Sequence, residues 1–154
     1  MSNIQVTHDT SLDNARSESS LAINPNNPQQ IVSGSKKFIN YHTYDFTLAT
    51  SYSTDGGLHW NDSAAFALLP GWTGISDPAI AWDDSGNVFL VALPFNNPPD
   101  STIIGIAVYK STDGGQTWSA PNLIHTSAGD DKQWAAGDGN PGSPFHGRVY
   151  AAWD

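Results

Sequence analysis

Two arginines, five histidines and no cysteine restrict the chemistry open to this chain. Without cysteine there is no disulfide, no thiolate metal ligand and no sulfur nucleophile. His8, His42, His59, His125 and His146 lack H-x-x-x-H or any other ligand spacing, so no transition-metal site is expected. The run Asp83-Asp84-Ser85-Gly86-Asn87 offers oxygen ligands but lacks the remaining EF-hand positions and the distant Glu, and reads as a turn. Gly137-x-Gly139-x-x-Gly142 matches a dinucleotide-binding pattern, yet Pro141 and Pro144 forbid the helix that would hold the pyrophosphate. No cofactor is expected. What remains is carboxylate chemistry, from 15 Asp and Glu, and aromatic stacking, from six Trp, six Phe and five Tyr. Tyr41, His42 and Tyr44 lie within four residues, and rings with polar tips suit the C–H faces of sugars.

The net charge of -9 argues against a nucleic-acid or anionic-membrane partner. It also suits anionic sugars poorly unless cations are concentrated locally. No apolar run approaches the roughly 20 residues of a membrane span. The start MSNIQVTHDT carries no apolar leader core. Asn61-Asp62-Ser63 is a glycosylation sequon, of consequence only in a eukaryotic secretory route.

The elements that must position these groups are repeated. STDGGLHW (Ser53–Trp60) and STDGGQTW (Ser111–Trp118) begin 58 residues apart, a period that marks stacked supersecondary units. Asp55 and Asp113 can accept hydrogen bonds from the turn that follows them. Gly57 and Gly115 supply positive φ, and Trp60 and Trp118 plug the space beside the turn. Glu18–Ser35 and Ser76–Leu93 each read as strand, turn and strand, and a third version begins at Lys132. Third strands, Phe46–Tyr52 and Ile103–Lys110, lead into each repeated phrase, and a fourth starts at each Trp. Helical periodicity is missing, and Pro and Gly recur too often for long helices. The chain is therefore expected to be all-β, with two four-stranded antiparallel units over 15–62 and 74–122 and half of a third over 131–154.

The pattern S-x-D-x-G-x-x-W resembles the Asp-box, or BNR repeat, of sialidases and their β-propeller relatives. The resemblance implies a partial β-propeller whose boxes join the third and fourth strands of each blade and face away from the ligand funnel. Ser53, Asp55, Gly57, Trp60, Ser111, Asp113, Gly115 and Trp118 are then structural. Propellers close with about 4–8 blades, so the resemblance further implies either a longer protein or a homo-oligomer that completes the ring. It also implies a secreted, periplasmic or cell-surface location.

Sialidases clamp a substrate carboxylate with three arginines and use a Tyr nucleophile with a Glu and an Asp acid/base. Arg16 lies near the family's R-I-P position without the Ile-Pro, and Arg148 matches no clamp position. A complete triad cannot be assembled, so the chain is not expected to work as a sialidase by itself. Asp45, in the loop expected over Lys36–Asp45, is the candidate acid, with a strand-edge surface role as its alternative. The funnel-lining ligand candidates are Arg16, Tyr41, His42, Trp72, Asp131, Lys132 and Trp134, beside Phe95 and Asn96. An acidic residue opens each repeat (Glu18, Asp77, Asp131). Similarity to xyloglucanase-type propellers makes Glu18 and Asp77 a candidate acid/base pair, with fixing of the entering strand as the alternative role. Three functions fit: an exo-glycosidase-related, glycan-processing protein; a non-catalytic carbohydrate- or protein-binding propeller; and a self-assembling structural module.

Overall fold

The computed structural model describes residues 3–7, 9–11, 14–96 and 103–154; His8 falls outside them. Among the described residues the extended elements are all β-strands. The first sheet has the order β1 (Arg16–Ile23), β2 (Ile31–Asn40), β3 (Asp45–Ser53) and β4 (Asn61–Asp62). The second repeats it with β5 (Gly74–Trp82), β6 (Val88–Phe95), β7 (Ile104–Ser111) and β8 (Asn122–Ser127). A two-stranded sheet, β9 (Trp134–Gly137) with β10 (Val149–Ala152), follows. Every pairing is antiparallel. The three sheets are consistent with partial propeller-like blades, and their first strands lie side by side, β5 touching both β1 and β9.

Side chains that alternate across a strand give each sheet two faces, and the second sheet buries both of its faces. On one side Ile80, Trp82, Leu90, Ala92 and Tyr109 pack with Val32 and Leu48 of the first sheet. On the other, Ala79, Ala81, Val91 and Ile106 meet Ala135, Val149 and Ala151 of the third. Small residues let this second interface close tightly; a Cβ on Gly137 would lie 1.9 Å from the Trp82 carbonyl oxygen. Polar groups crossing the first interface are paired. Trp82 Nε1 donates to Ala22 O (3.1 Å), and Ile80 N–H donates to Ser20 Oγ (3.1 Å). Burial pushes the Tyr109 hydroxyl up to about 12, and it donates to Ala67 O (2.9 Å), tying the segment between the sheets to the core.

The two STDGG phrases form equivalent turns. Ser53 Oγ accepts from Gly57 N–H (2.9 Å) and donates to Asp55 Oδ1 (2.9 Å), which also accepts from Leu58 and His59 N–H. Ser111 and Asp113 do the same with Gly115, Gln116 and Thr117. The His59 N–H and imidazole hold the Asp55 carboxyl down to about 2. Burial alone would raise Asp113, but hydrogen bonds from Thr117, Ser111 and Gln116 outweigh it and lower the carboxyl.

The two tryptophans part company. Trp60 closes its own turn, donating to Gly57 O (3.1 Å), whereas Trp118 donates across to Thr50 Oγ1 (2.9 Å) of the first sheet. The second turn is thus an inter-sheet clamp, with Gln116 O accepting from Ala64 N–H (2.8 Å).

The third strands run Asp45–Ser53 and Ile104–Ser111, close to expectation. The expected loop over Lys36–Asp45 is shorter than the sequence suggested, because β2 continues to Asn40. The inward register Val32, Gly34, Lys36, Phe38 carries the strand on, and Asn40 Oδ1 then accepts from His42 and Thr43 N–H to make the turn.

Gly115 should be the most demanding turn position. It has φ +88°, and a Cβ there would sit 2.5 Å from Val32 Cγ2; Gly71 has φ +83° with nothing within 4 Å. Gly71→Ala should cost about 1–2 kcal/mol, from backbone strain alone. Gly115→Ala should cost at least about 1 kcal/mol more, from overpacking. Urea denaturation of both variants checks the difference, and equal losses would show that the turn does not press on Val32.

Candidate functional site

Glu18, Asp77 and Lys132 are three of the four described non-glycine residues with positive φ (54°, 50° and 46°). Such a conformation costs on the order of 1–3 kcal/mol for a residue with a side chain, and clusters where the surroundings enforce it. Glu18 and Asp77 sit in matching bulges of β1 and β5, between Ser17 and Ser20 and between Ser76 and Ala79. The bulge also accommodates Pro78, which has no N–H for a ladder. Lys132 stands two residues before β9, as Glu18 stands two before Ser20. By backbone conformation it is Lys132, one position after Asp131, that matches the two carboxylates.

The two bulges and the approach to β9 turn their side chains toward one another. Lys132 Nζ lies 3.0 Å from Asp77 Oδ2 and 4.0 Å from Glu18 Oε1. Ser76 Oγ is 2.5 Å from Asp77 Oδ1 and 3.4 Å from Glu18 Oε2, and Gln133 donates its amide to the Asp77 carbonyl. A side-chain hydrogen bond with Asp77, then burial, raises the Glu18 carboxyl above its ordinary value. Burial would raise Asp77 too, but hydrogen bonds from Glu18, Ser76 and Lys132 overcome it and leave that carboxyl lowered. Of the two, Glu18 is therefore the carboxyl that takes up a proton first as pH falls. Carboxyl groups in contact lack the roughly 5–5.5 Å or 6.5–9.5 Å separation that glycoside hydrolysis by two carboxyls uses.

A second cation joins from β2. Lys36 is only 6% exposed at its side chain and lies 3.8 Å from Glu18 Oε1. Its ammonium donates to Tyr44 Oη (3.1 Å) and stands 4.1 Å from the centre of the Phe46 ring. Phe46 and Phe95, from neighbouring sheets, have ring centres 5.5 Å apart. Gly74 makes room for Phe95, since a Cβ there would meet the ring at 2.3 Å. Around these rings lies a cavity of about 330 Å³, whose walls include Lys36, Tyr44, Asp77, Asn96 and Asp131. Asn96 Oδ1 is buried without a hydrogen-bond partner among the described residues.

The other ligand candidates are dispersed. Consecutive strand residues face opposite ways, so Arg16, paired in register with Lys37, points to the far face of the first sheet. There its guanidinium grips Asp9 through Nε and Nη2 (both 2.7 Å) and donates to Ser35 Oγ (3.2 Å). Arg148 lies over the Phe145 ring at 4.6 Å. The Trp72 ring covers Gly105. Trp134 is 72% exposed. Tyr41 and His42 stack on each other at 3.9 Å in the β2–β3 turn. Asp45 is exposed at the start of β3, opposite Asn40. Asp131 pairs through its backbone with Asp154 while lining the cavity. Sequence reasoning overlooked Lys36, Phe46, Ser76 and Gln133. Lys36 carried a signal: it is a lysine at an inward-facing position of an apolar strand.

No protein-family model and no curated protein matches the chain. Solved structures similar to it in fold include the following two. Hadza microbial sialidase Hz136 aligns with a TM-score of 0.58 at 19% identity, over 71% of this chain and 26% of that one. A protein of unknown function from Dyadobacter fermentans DSM 18053 aligns with a TM-score of 0.52 at 17% identity, over 70% and 35%. The chain thus aligns with about a quarter and a third of their lengths. At these identities the likeness is one of fold alone. Among the described residues no helix is long and apolar enough to cross a membrane, and no group of three or more His, Cys, Asp or Glu is placed to hold a metal.

Carboxyl carbon NMR should find Glu18 titrating above an ordinary glutamate and Asp77 below an ordinary aspartate. Asp77→Asn should then lower the Glu18 value, because the negative charge that favours its protonated form is gone while Lys36 and Lys132 remain. An unchanged Glu18 titration in that variant would show that the two groups do not share a proton.

Proposed function

We propose that this chain forms part of the ligand end of a sialidase-like propeller from a glycan-processing, exo-glycosidase-related protein. It binds sugar in the cavity beside Glu18, Asp77 and Lys132 without hydrolysing a glycosidic bond on its own. One observation carries the reading: three separate strand beginnings hold strained left-handed residues whose side chains meet at the edge of an aromatic-walled cavity. Strain repeated at corresponding places points to a purpose beyond packing. The two turn motifs and the fold likeness support the glycan-related setting by analogy.

The contact between Glu18 and Asp77 favours binding over hydrolysis by this pair. The arginines are engaged elsewhere, Arg16 by Asp9 and Arg148 by Phe145, so a carboxylate clamp of the sialidase kind is not assembled from them. Tyr44, Phe46 and Phe95 supply ring surface of the kind that stacks on a pyranose.

A glycan microarray probed with the full chain tests the proposal. Retention of a defined set of glycans is expected, reduced at least tenfold by Tyr44→Ala, which removes a largely exposed ring, and by Phe46→Ala. No release of nitrophenol from nitrophenyl glycosides should accompany it. Absence of any retained glycan, or retention untouched by both substitutions, would overturn the assignment.

A further inference from the structure

Resting on the reading of the cavity as a sugar site, we infer that its ligand is an uncharged sugar and that internal carboxylates exclude acidic ones. Both cations at the cavity are already committed. Lys132 is bound to Asp77 at 3.0 Å, with Glu18 at 4.0 Å. Lys36 has Glu18 at 3.8 Å, the Tyr44 hydroxyl at 3.1 Å and the Phe46 ring at 4.1 Å, which account for its donors and its charge. Glu18, Asp77 and Asp131 are three carboxyl groups against the two ammonium groups of Lys36 and Lys132, so the site has no surplus positive charge. A carboxylate on the ligand would therefore have to break an ion pair already made, or stand beside Asp77 and Asp131 without a counter-charge.

The groups left available favour hydroxyl donors instead. Asn96 Oδ1 is a buried acceptor without a partner among the described residues. Asp77 and Asp131 add carboxylate acceptors on the same wall. A buried acceptor is costly to leave unmatched, so a ligand that donates there gains more than one that brings further acceptors. Phe46 and Phe95 present ring surface to the sugar's C–H face. The volume of about 330 Å³ lies at the small end of ligand cavities. One or two sugar rings are the appropriate scale.

Isosteric probes separate charge from shape. Methyl β-galactopyranoside and methyl β-glucopyranoside would be titrated into the nitrogen-15-labelled full chain beside the corresponding uronides, which differ by one carboxylate. The neutral glycosides should shift the amides of Phe46, Phe95 and Asn96, and the uronides should bind at least tenfold more weakly. In the Glu18→Gln, Asp77→Asn double variant, which frees both lysines, the uronides should gain at least tenfold relative to the neutral sugars. Asp131→Asn, at an exposed position, should move the ratio the same way by a smaller factor, and serves if the double variant does not fold. A wild-type preference for the uronides, or a preference unmoved by these variants, overturns the inference and leaves the sugar site standing. Failure of all four glycosides to bind overturns the sugar site and the inference with it.

Discussion

The burial of the second sheet on both faces is the constraint from which the rest of the structure follows. A four-stranded sheet with an apolar face is unstable in water until something covers it. Here Val32 and Leu48 cover one side, and Ala135, Val149 and Ala151 the other. Close approach of the sheets dictates glycine at Gly34, where a Cβ would lie 3.1 Å from Ile80 and Pro78, and at Gly137. It also converts the second turn from a local device into a clamp, with Trp118 bonded to Thr50. The same stacking sets β1, β5 and β9 side by side, so irregularities near the start of each meet at one end. The site lies where the bulges of β1 and β5 meet the approach to β9.

Much of the fold was legible because the repeat is written in residues with strict backbone demands. Asp-Gly-Gly followed by Trp leaves few conformations open, and its recurrence fixed the order of strands around it. The alternation of Val32, Gly34, Lys36 and Phe38 runs on past Ser35, where the resemblance placed a loop over Lys36–Asp45. Strand continuation won because Lys36 reaches aromatic rings and Glu18 while Lys37 faces the other way to Asp9.

The site was legible in its acids and not in its geometry. Glu18 and Asp77 stand out in the sequence as charges at strand beginnings, but nothing in residue type announces a left-handed backbone at a bulge. That conformation decides which residue of Asp131-Lys132 turns inward, and it selects the lysine. The result changes the chemistry from a ring of carboxylates to a cluster of paired acids and lysines. Arg16 shows the same limit, since alternation along β1 and β2 aims it at Asp9 on the opposite face. Residue types named the participants, and only tertiary register could say which of them meet.

The central claim is that the three left-handed residues are held in strain for binding rather than to fix their strands. The stability of a chain carrying glycine at 18, 77 and 132 together, measured by denaturation beside its sugar binding, tests it most directly. Glycine relieves strain of on the order of 1–3 kcal/mol at each position, against the pairs of the exposed Lys132, about 1 kcal/mol or less apiece, and the pair of Glu18 with the buried Lys36, whose loss costs about 3–5 kcal/mol. The account predicts stability unchanged within about 1 kcal/mol, or raised, with binding abolished. A loss of several kcal/mol would contradict it and make Glu18, Asp77 and Lys132 a structural staple.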